Sequence, residues 1–78
     1  MHVHVQLFSR FRGLLPADAH GKATLEMPPG GTVGQLLDHL DIGGSIKLLD
    51  VNGKRETDRE RVLCDGDTVR VFPMVVGG

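Results

Sequence analysis

The residues best placed to do chemistry stand at the end of the chain, in Phe72-Pro73-Met74-Val75-Val76-Gly77-Gly78. With glycine at about 7 % of average composition, a terminal Gly-Gly arises by chance about 0.5 % of the time. Two residues without a Cβ atom form a thin, permissive tether that fits a narrow channel in another protein. The carboxylate of Gly78 is unreactive toward nucleophiles as it stands. Converted to an acyl-adenylate with ATP it becomes an electrophile, and a sulfur donor that displaces AMP leaves a thiocarboxylate. That sulfur is more nucleophilic than a carboxylate oxygen and can be delivered into a partner's active site. In this chemistry Gly78, with Gly77 beside it, is the reacting end and the folded domain is a handle.

Other reactive side chains offer less. Cys64 is the single cysteine, so it forms no internal disulfide and fits a reducing cytoplasm. It reads as a small, partly buried side chain near the start of the last strand. His2 and His4 share one strand face at i, i+2, but two ligands are too few for a zinc site. His20 and His39 have no acidic or cysteine partner at ligand spacing and read as surface residues. Arg10, Arg12, Lys47, Lys54, Arg55, Arg59 and Arg61 read mainly as solvated faces, with steering toward an acidic partner open. Apolar side chains beside a free tail are more useful in a partner interface than in water. Phe72, Pro73, Met74, Val75 and Val76 are therefore the candidate partner-binding residues. The rival reading has Phe72 simply finish the core.

Size and charge narrow the possibilities. A chain of 78 residues is one domain, 1–78, with a flexible tail expected over about 74–78. Such a domain buries only about 60–65 % of its unfolded surface, too little for a deep pocket lined by several catalytic side chains. A net charge of −1 with interspersed signs argues against nucleic acid, which requires a basic stripe. The apolar runs are too short to span a bilayer, and the N-terminus lacks a signal segment.

The elements that must position the tail follow from hydrophobic periodicity. Val3, Val5 and Leu7 alternate with His2, His4 and Gln6, a half-buried strand. Arg10 to Gly21 has no period and reads as a loop. Ala23, Leu25 and Met27 form one face of a second strand, which Pro28-Pro29-Gly30-Gly31 ends. Thr32 and Gln35 match a capping box, and Val33, Leu36, Leu37 and Leu40 recur at i, i+3, i+4 and i+7. This spacing predicts one helix, stopped by Gly43-Gly44. Gly34 inside it costs up to about 1 kcal/mol and implies a close contact with the sheet. Ile46, Leu48, Leu49 and Val51 supply a third strand, Asn52-Gly53 a type I′ turn, and Lys54 to Glu56 a short edge strand. Thr57 to Leu63 is an irregular connection or a single helical turn. Asp65-Gly66-Asp67 is a turn, and Thr68 to Phe72 the last strand, with Val69 and Val71 inward. Two strands, a helix, then three strands is an α+β order. The β-grasp (ubiquitin-like) fold satisfies it, as a mixed four- to five-stranded sheet with one main helix packed across one face.

On these residues a resemblance rests. Leu7-Phe8-Ser9-Arg10-Phe11-Arg12, Pro29-Gly30-Gly31-Thr32-Val33-Gly34-Gln35-Leu36-Leu37, Val51-Asn52-Gly53, Asp65-Gly66-Asp67 and Val71-Phe72-Pro73 before Gly77-Gly78 stand in one order. Together they resemble the MoaD/ThiS family of sulfur carriers across essentially the whole chain. The resemblance implies a protein co-substrate rather than an enzyme, with no bound cofactor. ATP would be used by a ubiquitin-activating-type adenylating enzyme, and a sulfurtransferase or cysteine desulfurase would supply sulfur to Gly78. The long front loop and Phe72-Pro73 resemble the small subunit of molybdopterin synthase, which implies sulfur delivery to that enzyme's large subunit. A carrier for thiamin, serving a thiazole synthase, or for amino-acid synthesis is the alternative. So is a ubiquitin-like modifier conjugated through Gly78. Met74 and Val76 depart from the family's usual Phe-Pro-Pro-Val-Ala-Gly-Gly ending.

Overall fold

The two hydrophobic periods resolve into five strands and one helix in a computed structural model of the chain, which describes residues 1–74. The strands are β1 (His2–Leu7), β2 (Lys22–Glu26), β3 (Ile46–Val51), β4 (Lys54–Arg55) and β5 (Thr68–Pro73), and helix α1 spans Val33–His39. They form one sheet in the order β2-β1-β5-β3-β4. The β1–β5 pair is parallel, Val5 opposite Val69 and Leu7 opposite Val71, and every other neighbouring pair is antiparallel. This is the β-grasp arrangement the element order implies. Val3, Val5, Leu7, Val69 and Val71 are all buried on the inner face, where they meet Val33, Leu36, Leu37 and Leu40 of the helix stripe. On β2 the inner residues Ala23 and Leu25 are only half-buried, and Met27 closes that side just past the strand end.

The helix begins as its capping box requires. Thr32 Oγ1 accepts the Gln35 amide at 3.2 Å, and Gln35 Oε1 accepts the Thr32 amide at 3.0 Å. Its end departs from the expectation that Gly43-Gly44 stops it. The stop comes earlier, at Asp41, whose φ of 61° is left-handed. The Asp41 amide donates to the Asp38 carbonyl at 3.1 Å and the Ile42 amide to the Leu37 carbonyl at 2.9 Å. These two bonds make a Schellman motif, sealed by buried Leu37 and Ile42. An aspartate tolerates this conformation without glycine. Gly34 also has a different reason from the one its position suggests. It packs on Arg59, not on the sheet: its amide donates to the Arg59 carbonyl at 2.8 Å, and a Cβ there would meet that oxygen at 3.2 Å.

Asn52 and Gly53 both take positive φ, 54° and 83°, as a type I′ turn demands. The return strand β4 is only two residues long, one short of the expected Lys54 to Glu56. Residues 57–63 are irregular, tied to the helix start by a bridge between Thr32 and Val62 and a bond from the Val33 amide to the Arg61 carbonyl. The expected loop from Arg10 to Gly21 instead holds two short 3-10 helices, Ser9–Leu14 and Ala17–Ala19. A 3-10 turn repeats every three residues, and here only Phe11 is buried, so neither helical nor strand period is visible in the sequence. Cys64 is exposed rather than partly buried, because its neighbour Leu63 takes the buried position.

One buried carboxylate ties the loops to the sheet. Asp67 accepts the Cys64 amide and the Asn52 side-chain amide, each at 2.8 Å, while its carbonyl receives the His4 amide. The Cys64 amide above all, and Asn52 after it, hold its carboxyl below the ordinary aspartate range. The stabilisation is complete above the unfolded-state pKa and is lost as pH falls through the depressed folded one. We expect Asp67→Ala to lower unfolding free energy by about 1.5–3 kcal/mol at neutral pH, the usual worth of hydrogen bonds to a charged group. In urea titrations over a pH series, the variant's stability should also fall less steeply in acid than the parent's.

Candidate functional site

The last strand sorts its residues onto two faces. Val69, Val71 and Pro73 turn inward, leaving Thr68, Arg70 and Phe72 on the face that carries no helix. Register places Leu48 and Asp50 of β3 opposite Phe72 and Arg70. On the other side Phe8, one residue past β1, stacks on Phe72 with ring centroids 4.1 Å apart and planes 14° from parallel. Phe72 and Leu48 are half-buried, so an apolar patch lies open beside the point where the chain leaves the sheet. Phe72 therefore does not finish the inner core. It builds the outer face.

Arg70 borders this patch. Asp50 receives its guanidinium side-on, Nε lying 2.9 and 3.0 Å from the two carboxylate oxygens and a second nitrogen closing the pair. The Asp50 side chain is 5 % exposed, and this bidentate partner offsets the cost of burying it. The same hydrogen bonds raise the Arg70 pKa above its ordinary value. Held this way, the guanidinium sits 5.6 Å from the Phe72 ring centroid, within cation–π range.

The root of the tail is fixed from both sides. The Met74 amide donates to the Ser45 carbonyl at 2.7 Å, and the Arg10 guanidinium donates to the Met74 carbonyl at 2.6 Å. Arg10 also lies over the Phe11 ring, 5.4 Å from its centroid, which orients the donor. The Met74 side chain is 53 % exposed.

Of the candidate residues, Phe72 lies on the helix-free face and Met74 is exposed one residue past the strand, while Pro73 does not offer contact area. It is buried, because strand alternation sends it inward with Val69 and Val71. Val75, Val76, Gly77 and Gly78 lie outside the described residues, as does all of the expected 74–78 tail except Met74. Phe8, Arg10 and Arg70 escape a sequence reading as site residues. The available signal was register: Phe8 continues the outward set of His2, His4 and Gln6, and Arg70 alternates with Phe72. His2 and His4 are exposed on the far side of this face, His4 bonding Thr24 at 3.0 Å. His20 and His39 are exposed as read.

Comparison with known proteins agrees with the fold. The family model described as the ThiS family matches residues 5–78. A Pyrococcus furiosus protein described as molybdopterin converting factor subunit 1 is 26 % identical, with a TM-score of 0.75, over 96 % of this chain and 99 % of that one. Small archaeal modifier protein 1 of H. volcanii is 21 % identical, TM-score 0.73, over 95 % and 98 %. Subunit 1 and 2 of the molybdopterin-converting factor from Helicobacter pylori have been solved as a complex, in which the matching chain is 19 % identical, TM-score 0.67, over the full length of both. No curated protein matches the chain.

The anchoring of Met74 makes a specific expectation. Arg10 is exposed, so Arg10→Ala should barely alter global stability. It should speed hydrogen exchange of the Met74 amide by about fivefold, the effect of removing one hydrogen bond worth about 1 kcal/mol. Exchange at Val71, in the same strand but inside the sheet, should stay unchanged.

Proposed function

The chain belongs to the ThiS family of small ubiquitin-like carriers, and from that premise we propose that it carries sulfur on the carboxylate of Gly78. The observation that carries this reading is the Phe8–Phe72 patch at the root of the tail, with Met74 anchored beside it. A partner that covers the patch receives the tail in one place and from one direction. Four residues follow Met74, and four residues extend at most about 14 Å. An acting enzyme must therefore place its reactive centre within that reach of the patch.

The chemistry runs in two steps, both in partners. An adenylating enzyme joins the Gly78 carboxylate to the α-phosphate of ATP, releasing pyrophosphate. In the second, a persulfide sulfur loaded by a sulfurtransferase or cysteine desulfurase forms the C–S bond as the bond to AMP breaks, and a partner thiol then cleaves the acyl disulfide to the thiocarboxylate, closing a disulfide in the partner. The domain contributes docking and reach, and needs no cofactor of its own. Delivery to the large subunit of a molybdopterin synthase is the destination we favour, on the strength of the Pyrococcus match and the long front segment. Work in the cytoplasm accords with Cys64, an exposed free thiol that a reducing compartment keeps from oxidation.

Deleting Gly78, or adding one residue beyond it, should abolish ATP–pyrophosphate exchange with the matching adenylating enzyme while circular dichroism stays that of the parent. Intact mass of protein from its native cells should show a species heavier by the replacement of oxygen with sulfur. Gly-Gly remnants on target lysines without that species would make the chain a modifier instead.

Docking should depend on apolar burial. One such side chain is worth about 1.5–3 kcal/mol when buried, against about 0–1 kcal/mol for an exposed ion pair. Met74→Asp should weaken binding to the partner by more than about tenfold, since charge burial adds a penalty. Arg59→Ala should leave affinity nearly unchanged in calorimetric titration.

A further inference from the structure

The sheet has β2 and β4 as its two edges, and β4, only two residues long, is too short to cover the whole of β3. Strand β4 covers β3 only at Asp50 and Val51, with one further bond from the Glu56 amide to the Leu49 carbonyl. From Ile46 to Leu48 the outer edge of β3 has no strand beside it among the described residues. A bulge between Ile46 and Leu48 breaks the pairing with β5 there. Directly against this edge runs a groove of about 240 Å³ between β3 and α1. Its apolar floor comes from Val33 and Leu37 of the helix and Ile46 and Leu49 of the strand.

The rim of the groove is basic. Lys47 and Arg55 line it, Lys54 stands next to them on β4, and none of the three is in an ion pair with a described residue. Among the described residues Glu56 is the only carboxylate in the lining, and its charge is spent locally. It accepts the Thr57 and Asp58 amides at 3.0 and 3.2 Å and pairs with Arg61 at 3.3 Å.

We propose that this edge and groove bind an extended peptide segment of a partner protein, apolar at alternate positions and flanked by Asp or Glu. An added strand would hydrogen-bond to Ile46–Leu48 and send alternate side chains into the groove, which is how strand addition achieves both affinity and selection. Charge complementarity decides the occupant. A second copy of this chain would bring its own Lys47, Lys54 and Arg55 to the junction, and like charges across a strand pair are destabilising. An acidic segment turns the same rim into attraction. The groove meets the Phe8–Phe72 face at Leu48 but includes neither ring, and the proposal does not depend on the chemistry of Gly78.

The test uses the full 15N-labelled chain and a synthetic probe, acetyl-Asp-Glu-Val-Ile-Val-Asp-Glu-amide, with a lysine-flanked counterpart. The acidic probe should shift the amides of Ile46–Leu49, Val33 and Leu37 and slow hydrogen exchange on β3, with Phe8 and Phe72 unmoved. Lys47→Glu together with Arg55→Glu, both exposed positions, should weaken binding by about tenfold. Equal binding of the lysine-flanked probe, shifts centred on Phe8 and Phe72, or no shift at millimolar probe would overturn the proposal.

Discussion

The parallel pairing of β1 with β5 organises everything else in this molecule. It joins residues more than sixty positions apart, His4 with Thr68 through Leu7 with Val71, and so inserts the last strand between the first and the third. Such a contact closes nearly the whole chain into a loop, an entropic cost that local turns do not carry. The fully buried Val5, Val69 and Val71 at the seam, set against Leu36 of the helix, offset that cost by removing apolar surface from water. Because β5 is central, the chain leaves the sheet from its middle. A tail that began on an edge strand would lack flanking elements on both sides.

That placement explains how an exposed face becomes specific. Phe8 reaches Phe72 only because β1 lies beside β5, and Asp50 reaches Arg70 only because β3 lies on the other side. Leu48, opposite Phe72, extends the same surface. Each contact crosses a different strand pair, so the patch reports on the whole sheet. Arg10 and Ser45 then hold Met74 from the two flanking loops. The result is a platform in which stacked rings and paired charges surround Met74, the last described residue.

A thin core also constrains the polar groups. Among the described residues Asp50 and Asp67 are the two buried carboxylates, and each is satisfied: one by the Arg70 fork, the other by the Cys64 and Asn52 donors. Among the described residues no buried side-chain nitrogen or oxygen is left without a partner. An unsatisfied one would cost about 1–3 kcal/mol, a large share of what so small a domain can spare. The two exposed surfaces differ in character for related reasons. The helix-free face pairs Arg70 with Asp50 and presents the Phe8 and Phe72 rings, whereas Lys47, Lys54 and Arg55 by the β3 edge pair with no described carboxylate and stand beside an apolar floor.

Much of this was legible in the residues themselves. Alternation in Val3-Val5-Leu7 and in Val69-Val71, the 3.6-residue stripe of α1, the Thr32–Gln35 box and the Asn52-Gly53 turn are patterns written in residues a few positions apart, and each formed where it was expected, although the strands' pairing partners lie far along the chain. The element order then left the β-grasp sheet as the arrangement that buries one face. What sequence could not supply were features set by distant neighbours. The helix stops at Asp41 because Ile42 finds a buried site against Leu37. Gly34 is needed because the Arg59 backbone comes back across it. The 3-10 helices form where Phe11 is drawn into the core from a segment with no period. The candidate site divides in the same way: Phe72 and Met74 were visible from their position before Gly77-Gly78. Phe8, Arg10 and Arg70 became part of it only when the sheet placed β5 between β1 and β3, since stacking, ion pairing and tail anchoring all depend on strands that share no local sequence.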